Sequence, residues 1–281
     1  MSKFHFKSIV ILLSLVITNQ YSNDYNLLMS AFSRGQESFG FLFIKLSQIY
    51  NYYGFPYFAV HLTYLMILAI SLASFTRNII SVVLLIILVG GILNEQTRFF
   101  SAIFIAFSLM SLDGKLRFLF PLSFFIHPAA FLISFVVFCF KNTVKKMNEL
   151  TFLCCTFFAY VFGSYLVSFI VSLGNFLGYG YSGTVHLEPL SILGKIVFFV
   201  LAVYEAFIIK NEGVNGKNYD RDIIRALIIL GIFASGIAIA SGRIMLVLFL
   251  LVVAISPMPK IRSSQLVATS HNNILLASIL S

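Results

Sequence analysis

Long apolar runs separated by short polar segments dominate this chain. A helix that crosses a bilayer needs about 20 mainly apolar residues, with about 17 as a lower limit, and the chain offers several runs near that length. The pattern predicts helices at 4–19, 56–76, 78–93, 98–112, 150–172, 190–209, 223–240 and 243–259. The fold class expected from it is all-α, a polytopic integral membrane protein with about 8–10 transmembrane helices.

The same pattern predicts a single polytopic membrane domain over residues 1–262, followed by a tail or partial helix at 263–281. The first run follows Lys3 and Lys7, as in a signal peptide. Residues 16–23 lack a small-x-small cleavage motif, so we expect an uncleaved anchor. Residues 39–54 are too short to span easily, and their polar residues at helical spacing predict a helix that lies in the membrane interface.

Composition supports the membrane class. The chain is 59% hydrophobic and 10% charged, with a mean hydropathy of +0.97, whereas soluble chains carry about 25% charged residues. Its net charge of +9 would suggest nucleic acid in a soluble protein, but in a membrane protein basic residues orient the chain, because cytoplasmic loops are enriched in Lys and Arg. We therefore expect membrane lipids, and no nucleic acid, as partners.

With a cytoplasmic N-terminus, the alternation of sides places most basic residues inside. The inner set is Lys3, Lys7, Arg77, Lys115, Arg117, Lys141, Lys145, Lys146, Lys210, Lys217, Arg221, Arg225, Lys260 and Arg262. Only Arg34, Arg98 and Arg243 fall outside, while Lys45 and Lys195 lie near membrane boundaries and stay unassigned.

Residues 116–140 require an irregularity, because positive loops flank them at both ends. The stretch contains Pro121 and, near its middle, His127-Pro128; proline removes a backbone donor and disfavours helix in the residue before it. The sequence therefore predicts a broken-helix hairpin of two half-helices that turn at His127, with the histidine on a cavity open to the outer face. The alternative is one kinked helix with a packed histidine.

The three outer basic residues are all arginines. A guanidinium binds phosphate at two points, whereas lysine offers a point charge, so Arg34, Arg98 and Arg243 suit a diphosphate at the membrane surface. Arg98 and Arg243 are also expected at helix N-termini, where exposed amides favour anions. The alternative is that each arginine snorkels to lipid headgroups or pairs with a neighbour such as Glu37 or Glu95.

Other outer residues offer acid–base and sugar-binding chemistry. The outward groups suited to general acid or base work are Asp24, Glu37, Glu95, Glu188, His127 and His186. The Gly- and Tyr-rich segment 173–189 has the length of a binding loop. Its Tyr179 and Tyr181 suit stacking on sugars, although tyrosine also supplies the interfacial aromatic belt in a chain without Trp.

Several other chemistries have no support in the sequence. There is no HExxH, phosphate-binding glycine loop or GxSxG motif, so we predict no metal and no cofactor. Cys139, Cys154 and Cys155 lie in apolar runs without ligand-like spacing. They are predicted to be core residues.

Four motifs in order resemble the EpsG-like and Wzy-type family of bacterial polysaccharide polymerases. They are Glu37-Ser38-Phe39-Gly40-Phe41, Glu95-Gln96-Thr97-Arg98-Phe99-Phe100-Ser101-Ala102, Phe125-Ile126-His127-Pro128-Ala129-Ala130 after Lys115, and Ser241-Gly242-Arg243. The second is similar to the family's RQ-x-x-A helix start and the third to its FH-x-S-A. Two departures are that Gln96 precedes Arg98 and that Pro128 follows His127.

The resemblance implies an inner-membrane glycosyltransferase with a cytoplasmic N-terminus. Such an enzyme joins undecaprenyl-diphosphate-linked oligosaccharide repeats into O-antigen, capsule or exopolysaccharide on the outer face. By that similarity Arg98 and Arg243, with Arg34, would bind the lipid diphosphate, Glu37 or His127 would act as base toward the acceptor, and Tyr179 and Tyr181 would contact sugar. A chain-length regulator and a flippase are the implied protein partners.

Two other functions fit the same residues. A transporter or flippase for a lipid-linked glycan would use the outer arginines for binding without chemistry, and broken helices are common in transporters. A membrane O-acyltransferase that modifies surface polysaccharide would use His127 as base. A purely structural membrane scaffold would use none of them.

Overall fold

The computed structural model describes residues 3–18, 23–34, 41–112, 114–176, 192–205, 219–236 and 238–255. Within these ranges the regular structure is helical and contains no strand, which confirms the all-α class. The helices are α1 (Lys3–Ile17), α2 (Asn23–Arg34), α3 (Phe41–Tyr52), α4 (Tyr57–Phe75), α5 (Ile79–Glu95), α6 (Thr97–Met110), α7 (Ser123–Ile126), α8 (Pro128–Lys145), α9 (Glu149–Phe176), α10 (Ile192–Tyr204), α11 (Tyr219–Phe233) and α12 (Ala238–Ile255), with 3-10 segments at Gly114–Leu122 and Ala234–Gly236.

Each apolar run contains a helix, and the predicted limits that fall on described residues agree with it to within a few residues, except at the last boundary; the limits at 19, 190, 209 and 259 lie outside the described residues. The sequence predicts a break before Arg243, but α11 ends at Phe233 and α12 already begins at Ala238. From the sequence, Ser241 is expected to interrupt the helix. In the structure its hydroxyl donates a hydrogen bond to the carbonyl oxygen of Gly231 on α11 at 2.8 Å. Because this hydroxyl has a partner on the neighbouring helix, Ser241 and Gly242 lie inside α12.

Inter-helix contacts fix the direction in which each helix runs. Lys7 Nζ donates to the carbonyl oxygen of Thr76, so the start of α1 lies beside the end of α4. The Ser101 hydroxyl donates to the carbonyl oxygen of Tyr64 at 2.7 Å, and those of Ser74 and Ser108 are 2.9 Å apart, so α4 and α6 run parallel.

α12 runs from the site of Arg98 toward the end of α4. The start of α12 lies beside the start of α6, where Arg243 contacts Phe99. At the end of α12, the carbonyl oxygen of Ala254 accepts a hydrogen bond from the Arg77 amide at 2.6 Å. We call the end of the bundle that holds Lys7, Arg77, Lys145 and Arg225 the basic end, and the end that holds Arg98, His127 and Arg243 the site end.

The hairpin turns at His127, as the sequence predicts, but its two arms are unequal. His127 has an extended backbone (φ −156°, ψ 109°) between α7 and α8. The Phe120 ring stacks on those of Phe131 and Phe138, with centroids 6.2 and 4.7 Å apart, so the arms pack side by side and the alternative of one kinked helix is excluded.

The prediction of two half-helices is wrong. The first arm is the 3-10 segment Gly114–Leu122, with Pro121 inside it, followed by a single α-turn. The second arm, α8, has 18 residues, or about 27 Å at about 1.5 Å per residue. α8 therefore runs from the site end to the basic end, and His127 lies at the site end and not halfway along the bundle.

Apolar side chains form both the core and much of the outer surface. α6 is central, and its Phe99, Phe100, Phe104 and Phe107 are at most 2% exposed. Length and composition qualify α4 and α8 as membrane-crossing helices, and shorter apolar helices occur at Ile79–Leu93, Thr97–Met110, Glu149–Gly163, Leu193–Tyr204 and Ser241–Ile255. The prediction that the cysteines are core residues is wrong for Cys139 and Cys154, which are exposed, and Cys155 is half-buried.

A close backbone approach joins α9 to α11 at Gly163. A Cβ atom added there would lie 2.7 Å from the Cα atom of Phe233 and 2.9 Å from its carbonyl oxygen. Where the hydrophobic effect does little to hold helices together, small residues at their interface allow the backbones to pack this closely. Gly163 therefore fixes the distance between the two helices.

Gly163→Ala is expected to lower the free energy of unfolding by about 1–3 kcal/mol, the usual cost of overpacking, because the α11 backbone must move away from the added methyl group. The measurement is the midpoint of thermal unfolding of the purified protein in detergent. Gly242→Ala is the matched control, since no atom lies within 4 Å of its added Cβ and alanine favours helix over glycine. Equal midpoints for the two variants would contradict the close approach.

Candidate functional site

Three of the residues predicted from the sequence, Arg98, His127 and Arg243, meet at the site end. Arg34 is the last residue of α2, and its side chain lies outside the described residues. Glu37, Tyr179 and Tyr181 also lie outside them, as do His186 and Glu188. The geometry of the candidate site is therefore that of the first three residues and their neighbours.

Arg98 is the second residue of α6, so the prediction of a helix N-terminus is confirmed for it. Gln96 alone separates α5 from α6: its amide donates to the carbonyl oxygen of Ile92, and its own carbonyl accepts from Phe100. This tight reversal holds Arg98 at the edge of the bundle. Its guanidinium carbon lies 5.3 Å from the centroid of the Phe43 ring, within cation–π range.

Arg243 is the sixth residue of α12, so the prediction that it opens a helix is wrong. The terminal amides of α12 belong to residues one turn earlier, and the anion preference of a helix N-terminus does not extend to Arg243. Its guanidinium carbon lies 5.3 Å from the centroid of the Phe99 ring. An aromatic face thus holds this arginine, as another holds Arg98.

His127 contacts the same phenylalanine from another side. Its ring meets the Phe99 ring edge to face, with centroids 5.5 Å apart and planes at 89°. The His127 amide donates to the carbonyl oxygen of Ser123 at 2.9 Å. Phe99 therefore contacts both the imidazole and the Arg243 guanidinium.

Burial and two positive charges hold His127 in its neutral form. Burial, and then the Arg98 and Arg243 guanidinium groups, lower the pKa of His127 from 6.5 to about 4. A neutral imidazole can accept a proton. An anion that compensated both guanidinium groups would remove their part of the shift and bring the pKa of His127 back toward neutrality.

The arrangement suits an anion with two negative centres. The Arg98 guanidinium lies against Phe43 and the Arg243 guanidinium against Phe99, and each can donate several hydrogen bonds. Among the described residues, no group of three His, Cys, Asp or Glu side chains could hold a metal ion. The described part of the site therefore offers cationic binding together with one proton acceptor.

Sequence reasoning did not identify the aromatic rings that position these groups. Phe43 and Phe99 are both at most 2% exposed, but the chain has 32 phenylalanines, and spacing does not single out these two. The only signal is that Phe99 directly follows Arg98.

A buried ion cluster at the basic end was also missed. The Glu205 side chain is 1% exposed, and its carboxylate accepts hydrogen bonds from Arg221 Nε and, at 2.8 Å, from Arg225 Nε. Arg225 Nη1 also donates to the carbonyl oxygen of Met147 at 3.1 Å. Glu149 Oε1 lies 3.8 and 3.9 Å from the Nη2 atoms of the two arginines, so the cluster joins α9, α11 and the end of α10.

Comparisons with models of protein families, with curated proteins and with solved structures find no match for this chain. A functional conclusion therefore depends on the geometry of Arg98, His127 and Arg243 and on the motifs in which they occur.

Glu205→Ala is expected to destabilise the protein by about 3–5 kcal/mol, because it leaves the buried Arg225 charge without its main partner. Thermal unfolding in detergent measures the change. Glu149→Ala is the control: its side chain is 31% exposed and its contacts are longer, so the loss should be much smaller. A Glu205→Ala protein as stable as wild type would show that the cluster contributes nothing to stability.

Proposed function

We propose that this protein is an inner-membrane glycosyltransferase that polymerises undecaprenyl-diphosphate-linked oligosaccharide repeats on the outer face of the bacterial plasma membrane. The observation that carries the proposal is the convergence of Arg98, Arg243 and His127 at one end of the bundle, opposite the end that holds Lys7, Arg77, Lys145 and Arg225. Three features support it: the apolar outer surface, the distribution of charge and the chemistry of the site.

The outer surface of the bundle supports a membrane environment. Soluble proteins rarely expose contiguous apolar patches larger than a few hundred Å². Here large apolar side chains that are at least 40% exposed follow the outer faces of several helices, among them Leu84, Ile87, Leu88, Leu132, Phe135, Phe140, Phe157, Phe158, Phe162, Leu193, Ile196 and Phe199. Lipid would cover this surface.

The distribution of charge supports the orientation. The basic end holds lysines and arginines from the start of α1, the α4–α5 turn, the 3-10 segment, the end of α8 and the start of α11. Of the described basic side chains, the site end holds Arg98, Arg243 and Lys45 of α3. By the positive-inside rule the basic end faces the cytoplasm, and the site then opens toward the periplasm.

Reporter fusions are expected to show this orientation. A reporter active only in the cytoplasm should be active when fused after Lys146, at the end of α8, and inactive when fused after Gly54, in the turn between α3 and α4. A reporter active only in the periplasm should give the reverse. The opposite pattern would place the candidate site in the cytoplasm and contradict the proposal.

The two arginines account for recognition of a lipid diphosphate. Each guanidinium can donate to phosphate oxygens, and the phenylalanine faces that hold them add no negative charge that would compete with the ligand. As the sugar–phosphate bond breaks, negative charge grows on the diphosphate leaving group. Fixed positive groups around it stabilise that transition state.

The reaction then needs a base for the acceptor. A hydroxyl oxygen of the acceptor sugar attacks the anomeric carbon of the donor, the bond from that carbon to the diphosphate oxygen breaks, and the electron pair leaves with the diphosphate. The acceptor proton passes to His127 or to Glu37. His127 is the better supported of the two, since it lies with both arginines and carries a neutral imidazole.

Deletion of the gene is expected to collapse the long ladder of surface polysaccharide to a single repeat on a gel. Complementation with Arg98→Ala or Arg243→Ala should fail to restore it, because each removes one positive group from the diphosphate site, at a cost of about 10²–10³ in rate if it equals the loss of one transition-state donor. Arg117→Ala is the matched control, since Arg117 lies at the basic end with its guanidinium carbon 4.9 Å from a phenylalanine centroid.

The same experiment distinguishes the alternatives. A flippase deletion would leave no lipid-linked repeat outside, and an acyltransferase deletion would change acetylation while the ladder kept its length. A ladder that persists in the deletion strain would reject the protein as the sole polymerase.

A further inference from the structure

Buried polar atoms without partners cluster at the site end. Within the described ranges, the structure gives no hydrogen-bond partner to several buried side-chain atoms there, among them Ser47 Oγ, Tyr64 Oη, Gln96 Oε1, Ser123 Oγ, His127 Nδ1 and Ser235 Oγ. A buried polar atom without a partner costs about 1–3 kcal/mol, and each case in a folded protein calls for an explanation such as a ligand. Their shared position at the end that holds Arg98, His127 and Arg243 points to a polar ligand there.

Tyr64 is the most informative of these residues. Its side chain belongs to the bundle interior, since the residue is 1% exposed, and its backbone is held by the hydrogen bond from Ser101. Ser101 lies one helical turn after Arg98 on α6, so Tyr64 packs beside the helix that carries this arginine. Phenylalanine would fill the same space without the cost of an unsatisfied hydroxyl.

We propose that Tyr64 is a ligand-binding residue whose hydroxyl donates a hydrogen bond to a phosphate oxygen of the diphosphate that Arg98 binds. This inference rests on the proposed function, since it assigns a further donor to the same site. A tyrosine hydroxyl adds a directional donor without adding charge. The ligand thereby supplies the partner that the described protein groups do not.

The experiment compares Tyr64→Phe with wild type in two measurements. The first is the affinity of the purified protein in detergent for farnesyl diphosphate, with farnesol as the uncharged control for the prenyl chain. Loss of one hydrogen bond to a charged group should weaken diphosphate binding by about tenfold or more. The second is the midpoint of thermal unfolding without ligand, which should stay equal or rise, because the variant removes a hydroxyl that has no partner.

Tyr50→Phe is the matched control. The Tyr50 hydroxyl is paired with that of Thr63 at 2.8 Å, so its removal should lower the unfolding midpoint and leave diphosphate affinity unchanged. The two tyrosines are thus expected to show opposite patterns.

Three results would overturn the assignment of Tyr64. Unchanged affinity in Tyr64→Phe would show that the hydroxyl does not contact the ligand, and a clearly lower midpoint would show that it has a structural partner. If wild type did not bind farnesyl diphosphate, the diphosphate ligand on which the assignment depends would be rejected. The polymerase proposal fails separately, through a polysaccharide ladder that persists in the deletion strain.

Discussion

Burying a guanidinium group among apolar helices is costly unless other groups compensate its charge, and both ends of this bundle are organised around that requirement. At the basic end the compensation is ionic, because the Glu205 carboxylate accepts from Arg221 and Arg225. At the site end the described contacts of Arg98 and Arg243 include the faces of Phe43 and Phe99. A carboxylate neutralises the charge of a guanidinium group, whereas a ring contact holds the group without itself neutralising that charge.

A second constraint determines where the helices break. Irregular backbone in an apolar environment must lie at an end of the bundle or against other parts of the protein, because its free N–H and C=O groups need partners. The break at His127, the reversal at Gln96 and the 3-10 turn Ala234–Gly236 all lie at the site end. The candidate site is therefore built where the helices reverse, which allows α4, α6, α8 and α12 to contribute residues to one place.

Much of the fold could be predicted from the sequence, because long apolar runs have few alternatives to helix. The turn at His127 followed from the local effect of Pro128 on its neighbour. The start of α12 could not be predicted. Ser241 and Gly242 interrupt a helix only when their hydrogen-bonding groups lack partners, and the partner of the Ser241 hydroxyl lies on α11.

The site shows the same division between local and distant information. Arg98 and His127 could be proposed from their positions beside predicted helix ends. The roles of Phe43, Phe99 and Glu205 depend on which helix faces come together, and this information is not local in the sequence. Glu37, Tyr179 and Tyr181 lie outside the described residues, so their roles remain predictions.

Holding Arg98 and Arg243 on aromatic rings has a consequence for turnover. On the proposed function, cleavage of the sugar–phosphate bond leaves the carrier with more negative charge than the donor had. Two guanidinium groups at one site would then attract the spent carrier more strongly than the donor. Product release, rather than bond cleavage, would limit the rate, and it would depend on escape of the carrier sideways into the lipid between the helices.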